Sequence, residues 1–422
     1  KRFKNMGVGL QFKYNMTAIE TGIDLRKDES FYENASWQTV SNDTIGFMNY
    51  RSESRSGWKQ DVIFKKRVKA FNEDRTTLDY SLAKVLIGYD QHHKPIRWEF
   101  QAKTEESYSE ERAIVYDSVG AGLGQYRYDL IFNTYISDPN GAFIAYTVPT
   151  GKRDPNTVIE GSQKFTIDLG RISGYPDILI RGNNRLDYRG SGIDIRKLIQ
   201  PEITDSLSTR SRLVSRLEMI YSGKSRFRGW IENQQALNGL DPRGNDLDHS
   251  NETGLEIDQA ISRSITIKNR GQFRTKSVES TVSTLRNRDV KGWWNEAQLQ
   301  VKLNESMDFD LGIMGGFDSG SQQGDSFSAQ AYGVLLNGRF FFKKTGRLHT
   351  RVSWAKALEK NNSEYLPPEA LNGYPIGTSF RSNTRLQYFL NRSVSMIFTL
   401  NTIDDDRYDN FITFQGEIRA HF

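Results

Sequence analysis

The feature that most constrains this chain is an alternation of apolar and polar residues with a period of two. In the last segment, apolar or small residues occupy every second position from Ile412 to Phe422, and every position between them is polar. Such alternation is typical of a β-strand with one apolar face and one polar face. Similar runs recur upstream, each about ten residues long, which is the length that a tilted strand needs to cross a bilayer. The pattern predicts an all-β fold built from long strands.

The expected connections between these runs alternate in length. Long loops are expected at residues 403–410, 359–372, 318–325 and 241–254 and a medium loop at 286–289. Tight turns are expected near Asn391 and at residues 344–346, 304–306, 269–271 and 223–225. An up-and-down meander sorts its loops in this way, because all loops of one parity lie at one end of the sheet. A Greek-key sandwich does not. We therefore expect a transmembrane antiparallel up-and-down β-barrel, with short periplasmic turns and longer extracellular loops.

The two parts of the chain differ in regularity. Residues 161–422 are expected to supply at least 12 barrel strands. Residues 1–160 are also rich in strand patterns, but residues 26–42 and 105–112 interrupt the rhythm, so this region is either further barrel strands or a separate β domain. Helical patterns are almost absent, apart from one or two turns at residues 193–200. Because the chain opens without an initiator Met, we expect that a leader was removed or that the sequence continues a longer polypeptide.

Composition favours lipid as the cover for the apolar face. A mean hydropathy of −0.64, without an apolar run of about 20 residues, excludes a bundle of transmembrane helices. A charge on a lipid-facing position costs about 2 to 4 kcal/mol at the bilayer midplane, and the apolar parity of the clearest strands carries none. Aromatic residues cluster near expected strand ends, where Trp and Tyr prefer the headgroup level: Tyr221, Trp230, Trp293, Trp294, Phe340, Phe341, Phe342, Tyr388, Phe411 and Phe422. A large soluble β protein, whose strands also alternate, stays open as the alternative.

The final segment FQGEIRAHF resembles the C-terminal signal strand of bacterial outer-membrane β-barrel proteins. The residues that carry the resemblance are Gly416, Ile418, Ala420 and the terminal Phe422, although family members more often have a larger residue at the position of Ala420. The stretches VGAGLGQYRYD and YLPPEALNGYPIG are similar to segments of large outer-membrane proteins of the Bacteroidetes and related lineages. The resemblance implies a location in the outer membrane of a Gram-negative bacterium, contact with outer-membrane lipid and recognition by the barrel-assembly machinery.

Residue chemistry offers little for catalysis. The chain has no Cys and only five His, with no pair of His at metal-ligand spacing and no Gly-x-Ser-x-Gly elbow. We therefore predict no enzyme activity, no catalytic residues, no metal and no cofactor. The glycines at 120, 122 and 124 lack the spacing of a dinucleotide fingerprint and are interpreted as a turn. Acidic loops at residues 241–248 and 404–409 have the oxygen ligands that Ca²⁺ prefers, but solvated loops are the simpler interpretation.

Basic residues on the polar parity form the candidate functional surface, expected to line a lumen: Arg339, Lys343, Arg351, Arg381, Arg385 and Arg419. They would either make a positive wall that favours anions or form ion pairs across the lumen with Glu296, Asp308, Asp310 and Glu417. The net charge of +5 is too small for 422 residues to indicate nucleic acid as a partner. The leading hypothesis is a porin-like protein that passes or binds small polar solutes. The alternative is a non-conducting component that anchors protein partners in an outer-membrane complex.

Overall fold

The computed structural model describes residues 2–31, 36–72, 78–131, 133–172, 174–190, 203, 208–322, 324–342, 345–360, 366–391 and 393–420. The helical turns expected at 193–200, the candidate residue Lys343 and the terminal Phe422 lie outside these residues. Within the described residues there is no α-helix, only short 3-10 segments at Leu169–Arg171, Thr284–Arg286 and Ala370–Gly373. No helix in this part of the chain is long and apolar enough to span a membrane.

The described residues form 21 strands. They are β1 (Arg2–Tyr14), β2 (Thr17–Phe31), β3 (Trp37–Glu53), β4 (Trp58–Phe71), β5 (Leu78–Asp90), β6 (Ile96–Ser118), β7 (Gly124–Asp129), β8 (Thr134–Gly141), β9 (Phe143–Asp168), β10 (Ile178–Gly190), β11 (Ser208–Ser222), β12 (Ser225–Asn238), β13 (Asp246–Ala260), β14 (Ile265–Ser280), β15 (Arg288–Asn304), β16 (Met307–Gln322), β17 (Asp325–Phe342), β18 (Gly346–Glu359), β19 (Gly377–Phe389), β20 (Val394–Asp405) and β21 (Tyr408–Ala420). The all-β antiparallel prediction is confirmed.

All of the strands belong to one sheet with the topology of a meander. β1 to β6 pair in chain order, β6 pairs with β9, and β9 to β21 again pair in chain order. β7 and β8 form a hairpin between β6 and β9. The sheet continues through the expected boundary at residue 160, which lies inside β9. Within the described residues β1 and β21 do not pair with each other, so the sheet has two open edges. These edge strands run in the same direction, because an even number of antiparallel steps separates them.

The two faces of the sheet differ in polarity. We call outer the face that carries Leu311 and Ile313, which are 62% and 65% exposed, and inner the face that carries Asp310 and Trp294. The pairing register lets both faces be followed from β1 to β21. Large exposed apolar side chains recur along the outer face: Met6, Val8, Leu10, Phe12, Ile23, Leu25, Met48, Phe64, Leu217, Met219, Ile231, Leu255, Phe273, Trp293, Leu299, Val334, Leu336, Trp354, Phe380, Leu400, Phe414 and Ile418. A soluble monomer rarely exposes an apolar patch of this extent.

The inner face is concave across the C-terminal strands. One segment, residues 366–376 between β18 and β19, accepts hydrogen bonds from Arg274 on β14 and from Arg381 on β19. Four strands lie between β14 and β19, so a single short segment can reach both arginines only if the sheet curves around it. We call this segment the inner loop.

Several expected loops are continuous strand. β16 extends to Gln322 and β17 begins at Asp325, so most of the loop expected at residues 318–325 is strand. β20 and β21 likewise reduce the loop expected at 403–410 to 406–407, and β13 begins at Asp246 within the loop expected at 241–254. These strand ends carry polar residues on both faces. Because they have no apolar face, their sequence looks like loop although the backbone stays paired.

The turn expected at residues 269–271 is wrong. Asn269 and Gly271 lie inside β14, opposite Ala297 and Asn295 of β15, and the β13–β14 turn is at residues 261–264. The turns at 223–224 and 305–306 are confirmed, as is a long connection between β18 and β19. We call the end of the sheet at residues 239–245, 281–287 and 360–376 the long-loop end.

Candidate functional site

The basic residues expected to line a lumen lie on the inner face where the structure describes them. Arg339 is opposite His349, and His349 is opposite Arg385, so these three side chains form one row across β17, β18 and β19. Arg351 lies opposite Asn337 and Asn383 in the next row toward the long-loop end.

Most of these arginines have a carboxylate partner. Arg339 contacts Asp308 and also Asp310, the latter at 3.2 Å. The remaining ion pairs join Arg351 to Glu296 at 3.8 Å, Arg381 to Asp405 at 3.8 Å, and Arg419 to Glu417 at 2.7 Å. These pairs favour ion pairing over a uniformly positive wall, but they join residues of the same or nearby strands along the sheet and do not cross a lumen. These charges occupy the inner face and stiffen it without giving it a large net charge.

The inner loop packs against the wall through apolar side chains. Ala370, Leu371 and Tyr374 are buried, and the ring of Tyr374 stacks on that of Trp294 with centroids 6.0 Å apart. The Tyr374 hydroxyl donates a hydrogen bond to Ser353 at 3.1 Å. The wall residues in this cluster come from β15 to β18: Trp294, Met314, Ala329, Ala331, Leu335, Ala355 and Ala357. Small alanines on β17 and β18 leave the space that the loop side chains fill.

A buried carboxylate fixes the backbone of the loop. Asp318, whose side chain is 1% exposed, accepts a hydrogen bond from the Leu371 backbone N–H at 2.5 Å and from Arg274 at 2.6 Å. Leu371 and Asn372 have φ values of 50° and 55°, which are uncommon for residues other than glycine. Such conformations cost of order 1 to 3 kcal/mol and persist only where the surroundings hold them. Here the Asp318 contact and the apolar cluster hold the loop in this conformation.

A second clamp lies at the start of the loop. Glu369 accepts hydrogen bonds from Arg288 at 2.7 and 3.0 Å, and Lys276 lies 3.2 Å away. Burial favours the neutral form of Glu369, but the Arg288 hydrogen bond and the nearby cations outweigh it, so the pKa falls to about 2. The carboxylate therefore stays charged and paired at neutral pH.

A cavity of about 520 Å³ lies between the inner loop and the wall. Its lining includes Trp294, Glu296, Arg351, Asn372, Tyr374, Arg381, Asn383, Asn401, Phe411 and Thr413. Asn401 donates to Thr413 at 3.2 Å and accepts from Asn383. This lining suits a small polar molecule. The paired charges and amides can orient such a molecule, and the two stacked aromatic rings offer a surface for it to contact.

Sequence reasoning missed the inner loop as a functional element. The signal was present, because the segment LPPEALNGYPI places Leu366, Leu371 and Tyr374 within or next to the long loop expected at residues 359–372. Apolar side chains in such a loop need a surface to cover them. Trp230 and Trp294, expected at the headgroup level, are instead buried on the inner face, each 3% exposed.

The other candidate motifs have structural roles. No group of three or more His, Asp or Glu side chains suited to a metal ion occurs in the described part of the chain. In the two acidic loops, Asp241 pairs with Arg243 at 2.6 Å and Asp405 with Arg407 at 3.4 Å. The Arg243 hydrogen bonds lower the pKa of Asp241 despite partial burial. Gly120 and Gly122 have φ of 103° and 80°, as a turn requires.

No family model matches this sequence, and no curated protein matches it. Three solved structures are similar to the chain. The copper transporter OprC has 9% identity and a TM-score of 0.44 over 98% of this chain and 70% of that one. The ferric-catecholate import receptor Fiu of Escherichia coli has 9% identity and a TM-score of 0.35, over 100% and 79%. The outer membrane transporter YddB of Escherichia coli has 8% identity and a TM-score of 0.36, over 100% and 76%.

Both the sequence identities and the TM-scores are too low to assign a function to this chain.

Proposed function

We propose that this chain forms the wall of a bacterial outer-membrane β-barrel that passes or binds small polar solutes through its lumen. The observation that carries the proposal is the contrast between the two faces. The outer face exposes apolar side chains in register along the meander, whereas the inner face carries paired charges. Lipid is the medium that covers such an outer face without a second protein layer.

The solute would use the cavity beneath the inner loop. Arg351 and Arg381 project from neighbouring strands on one side, and Asn372 and Tyr374 of the loop face them from the other. Because the loop reaches from β14 to β19 across the inner face, it would narrow the lumen at this level. In this proposal the loop sets the size limit and the paired charges exclude apolar molecules.

Heat modifiability together with single-channel conductance tests the proposal on purified protein in detergent and then in a planar bilayer. We expect a compact species that unfolds only on boiling, and discrete conductance steps after insertion. A protein that stays soluble and folded without detergent would overturn the membrane assignment.

The packing of the inner loop favours a second candidate function. The loop fills part of the inner face with an apolar cluster. A barrel whose lumen is blocked in this way would not conduct and would instead anchor protein partners in an outer-membrane complex. A heat-modifiable barrel that gives no conductance and retains a co-purifying protein would support this candidate over the first.

A further inference from the structure

A separate basic group lies on the inner face near the long-loop end of β10 and β11. Arg189, Arg210 and Arg212 line a cavity of about 740 Å³ together with residues of β9, β12 and β13. The inner loop contributes no residue to this cavity, and neither do the strands on which the basic row containing Arg339 lies. The two sites are therefore distinct.

The carboxylates of this cavity already have partners. Four acidic residues line it, and each lies within ion-pair distance of a cation: Glu160 of Lys103 at 3.9 Å, Asp187 of Arg185 at 3.1 Å, Asp246 of Arg286 at 2.9 Å, and Asp248 of Lys276 at 3.9 Å. Arg212 donates instead to the neutral amide of Gln234 at 3.0 Å. Within the described residues, Arg189 and Arg210 have no carboxylate partner. Among the described residues these two guanidinium groups are thus left without a balancing charge, whereas Arg212 lies directly opposite Asp187.

The pairing register makes this cluster of arginines unfavourable when no ligand is bound. Arg189 lies directly opposite Arg210, and Arg212 is two residues further along the same face. Like charges placed directly opposite each other on an antiparallel pair are destabilising. An anion bound between the two strands would remove the repulsion, and guanidinium groups suit this task because each can donate two parallel hydrogen bonds to a phosphate or carboxylate.

We propose that this group is a binding site for a small solute that carries at least two oxyanion charges, such as a diphosphate or a polycarboxylate. The inference depends on the proposed function, because it names a class of solute that the lumen accepts at its long-loop end. The site would hold the anion before it reaches the narrower cavity beneath the inner loop.

Calorimetric titration of the full protein in detergent, with inorganic pyrophosphate and separately with citrate, tests the site. The test variant is the double substitution Arg189→Gln with Arg210→Gln. The matched control, Lys224→Gln with Arg226→Gln, removes the same charge from two exposed residues at the β11–β12 turn. We expect the test variant to bind at least tenfold more weakly and the control to bind as the unmodified protein does.

Stability supplies an independent readout. Because the test variant removes a like-charge contact, it should unfold at the same temperature as the unmodified protein or higher, and pyrophosphate should raise the unfolding temperature only when both arginines are present. Binding of pyrophosphate but not citrate would assign a phosphate ligand, and the reverse a carboxylate. Equal affinity in the test and control variants, or no binding of either probe, would overturn the inference. Binding is measured without a bilayer and is therefore independent of conductance. A protein that binds a probe but does not conduct would support the anion site and contradict the proposed passage of solutes. A protein that conducts but binds neither probe would support passage and contradict the anion site.

Discussion

The ring of Trp294 on β15 stacks on the ring of Tyr374 in the inner loop, with the two planes inclined by 10°. This contact joins residues 80 positions apart and brings the β18–β19 connection onto the concave face of the sheet. Trp294 was expected at the membrane interface. It faces inward instead, where its ring is covered by that of Tyr374. The contact marks the point where the proposed lumen would be narrowest.

Replacing Leu371 with Ala should loosen the inner loop. Leu371 is fully buried in the cluster beneath the loop, and removal of a buried leucine side chain typically costs about 2 to 5 kcal/mol. We expect faster cleavage of the loop by endoproteinase Glu-C after Glu369, and larger single-channel conductance. The matched control, Leu285→Ala, alters a leucine that is 58% exposed in the β14–β15 connection and should change neither. Unchanged conductance in a barrel whose loop is cleaved would remove the loop as the narrow point.

Replacing Asp318 with Asn should release the same loop by a different route. The substitution keeps the side-chain volume but leaves Arg274 without its carboxylate, and breaking a buried ion pair costs about 3 to 5 kcal/mol. We expect Glu-C cleavage after Glu369 to increase as it does for Leu371→Ala. Asp325→Asn, in an exposed position at the start of β17, is the control. Equal protection of the loop in both variants would show that Asp318 does not hold it.

Acid should also release the loop, through Glu369. The pKa of this group falls to about 2 in the folded protein. A lowered pKa stabilises the folded form above the ordinary pKa, near 4.5, and that stabilisation is lost as the pH falls toward 2. Pepsin cleavage in the loop should therefore rise between pH 4.5 and pH 2. Glu369→Gln should lose this dependence, whereas Glu305→Gln in the β15–β16 turn should keep it. The same pH profile in both variants would contradict a role for Glu369.

Deleting Phe422 should impair assembly into the outer membrane while leaving synthesis intact, if the last strand is the signal that Gly416, Ile418 and Ala420 suggest. Heat-modifiable protein in the outer-membrane fraction measures assembly. Phe414→Ala, which removes an aromatic ring from the outer face of the same strand, is the control. Normal assembly of the deletion variant would count against the signal.

Period-two alternation predicted the strands wherever one face of the strand is apolar. The run that begins at Ile412 lies on β21, with Phe414 and Ile418 on the outer face as expected. The prediction failed where strands extend past the apolar face, as at Asp318 to Gln322 of β16, because both faces there are polar and the pattern disappears. It also failed at Asn269 to Gly271, where turn-forming residues are held in the sheet by pairing with β15.

The candidate site was only partly predictable. Alternation alone predicted the face of the sheet on which the basic residues lie, namely Arg339, Arg351, Arg381, Arg385 and Arg419. The sequence also named Glu296, Asp308, Asp310 and Glu417 as carboxylate partners. It could not tell which arginine each one pairs with, or that Asp405 pairs with Arg381, because these pairs depend on a register that the turns set. The inner loop required a long-range contact with Asp318 that no local pattern encodes.

The central claim is that the outer face meets lipid and the inner face meets water. Since the chain has no Cys, single cysteines introduced at Leu336 and at its neighbour Asn337 report the two faces of β17 at one depth. Spin labels at both positions, in protein reconstituted into vesicles, are then tested for contact with oxygen and with a water-soluble nickel chelate. We predict that the label at Leu336→Cys contacts oxygen more than nickel, and that the label at Asn337→Cys shows the reverse. Equal nickel access at both positions would contradict the account.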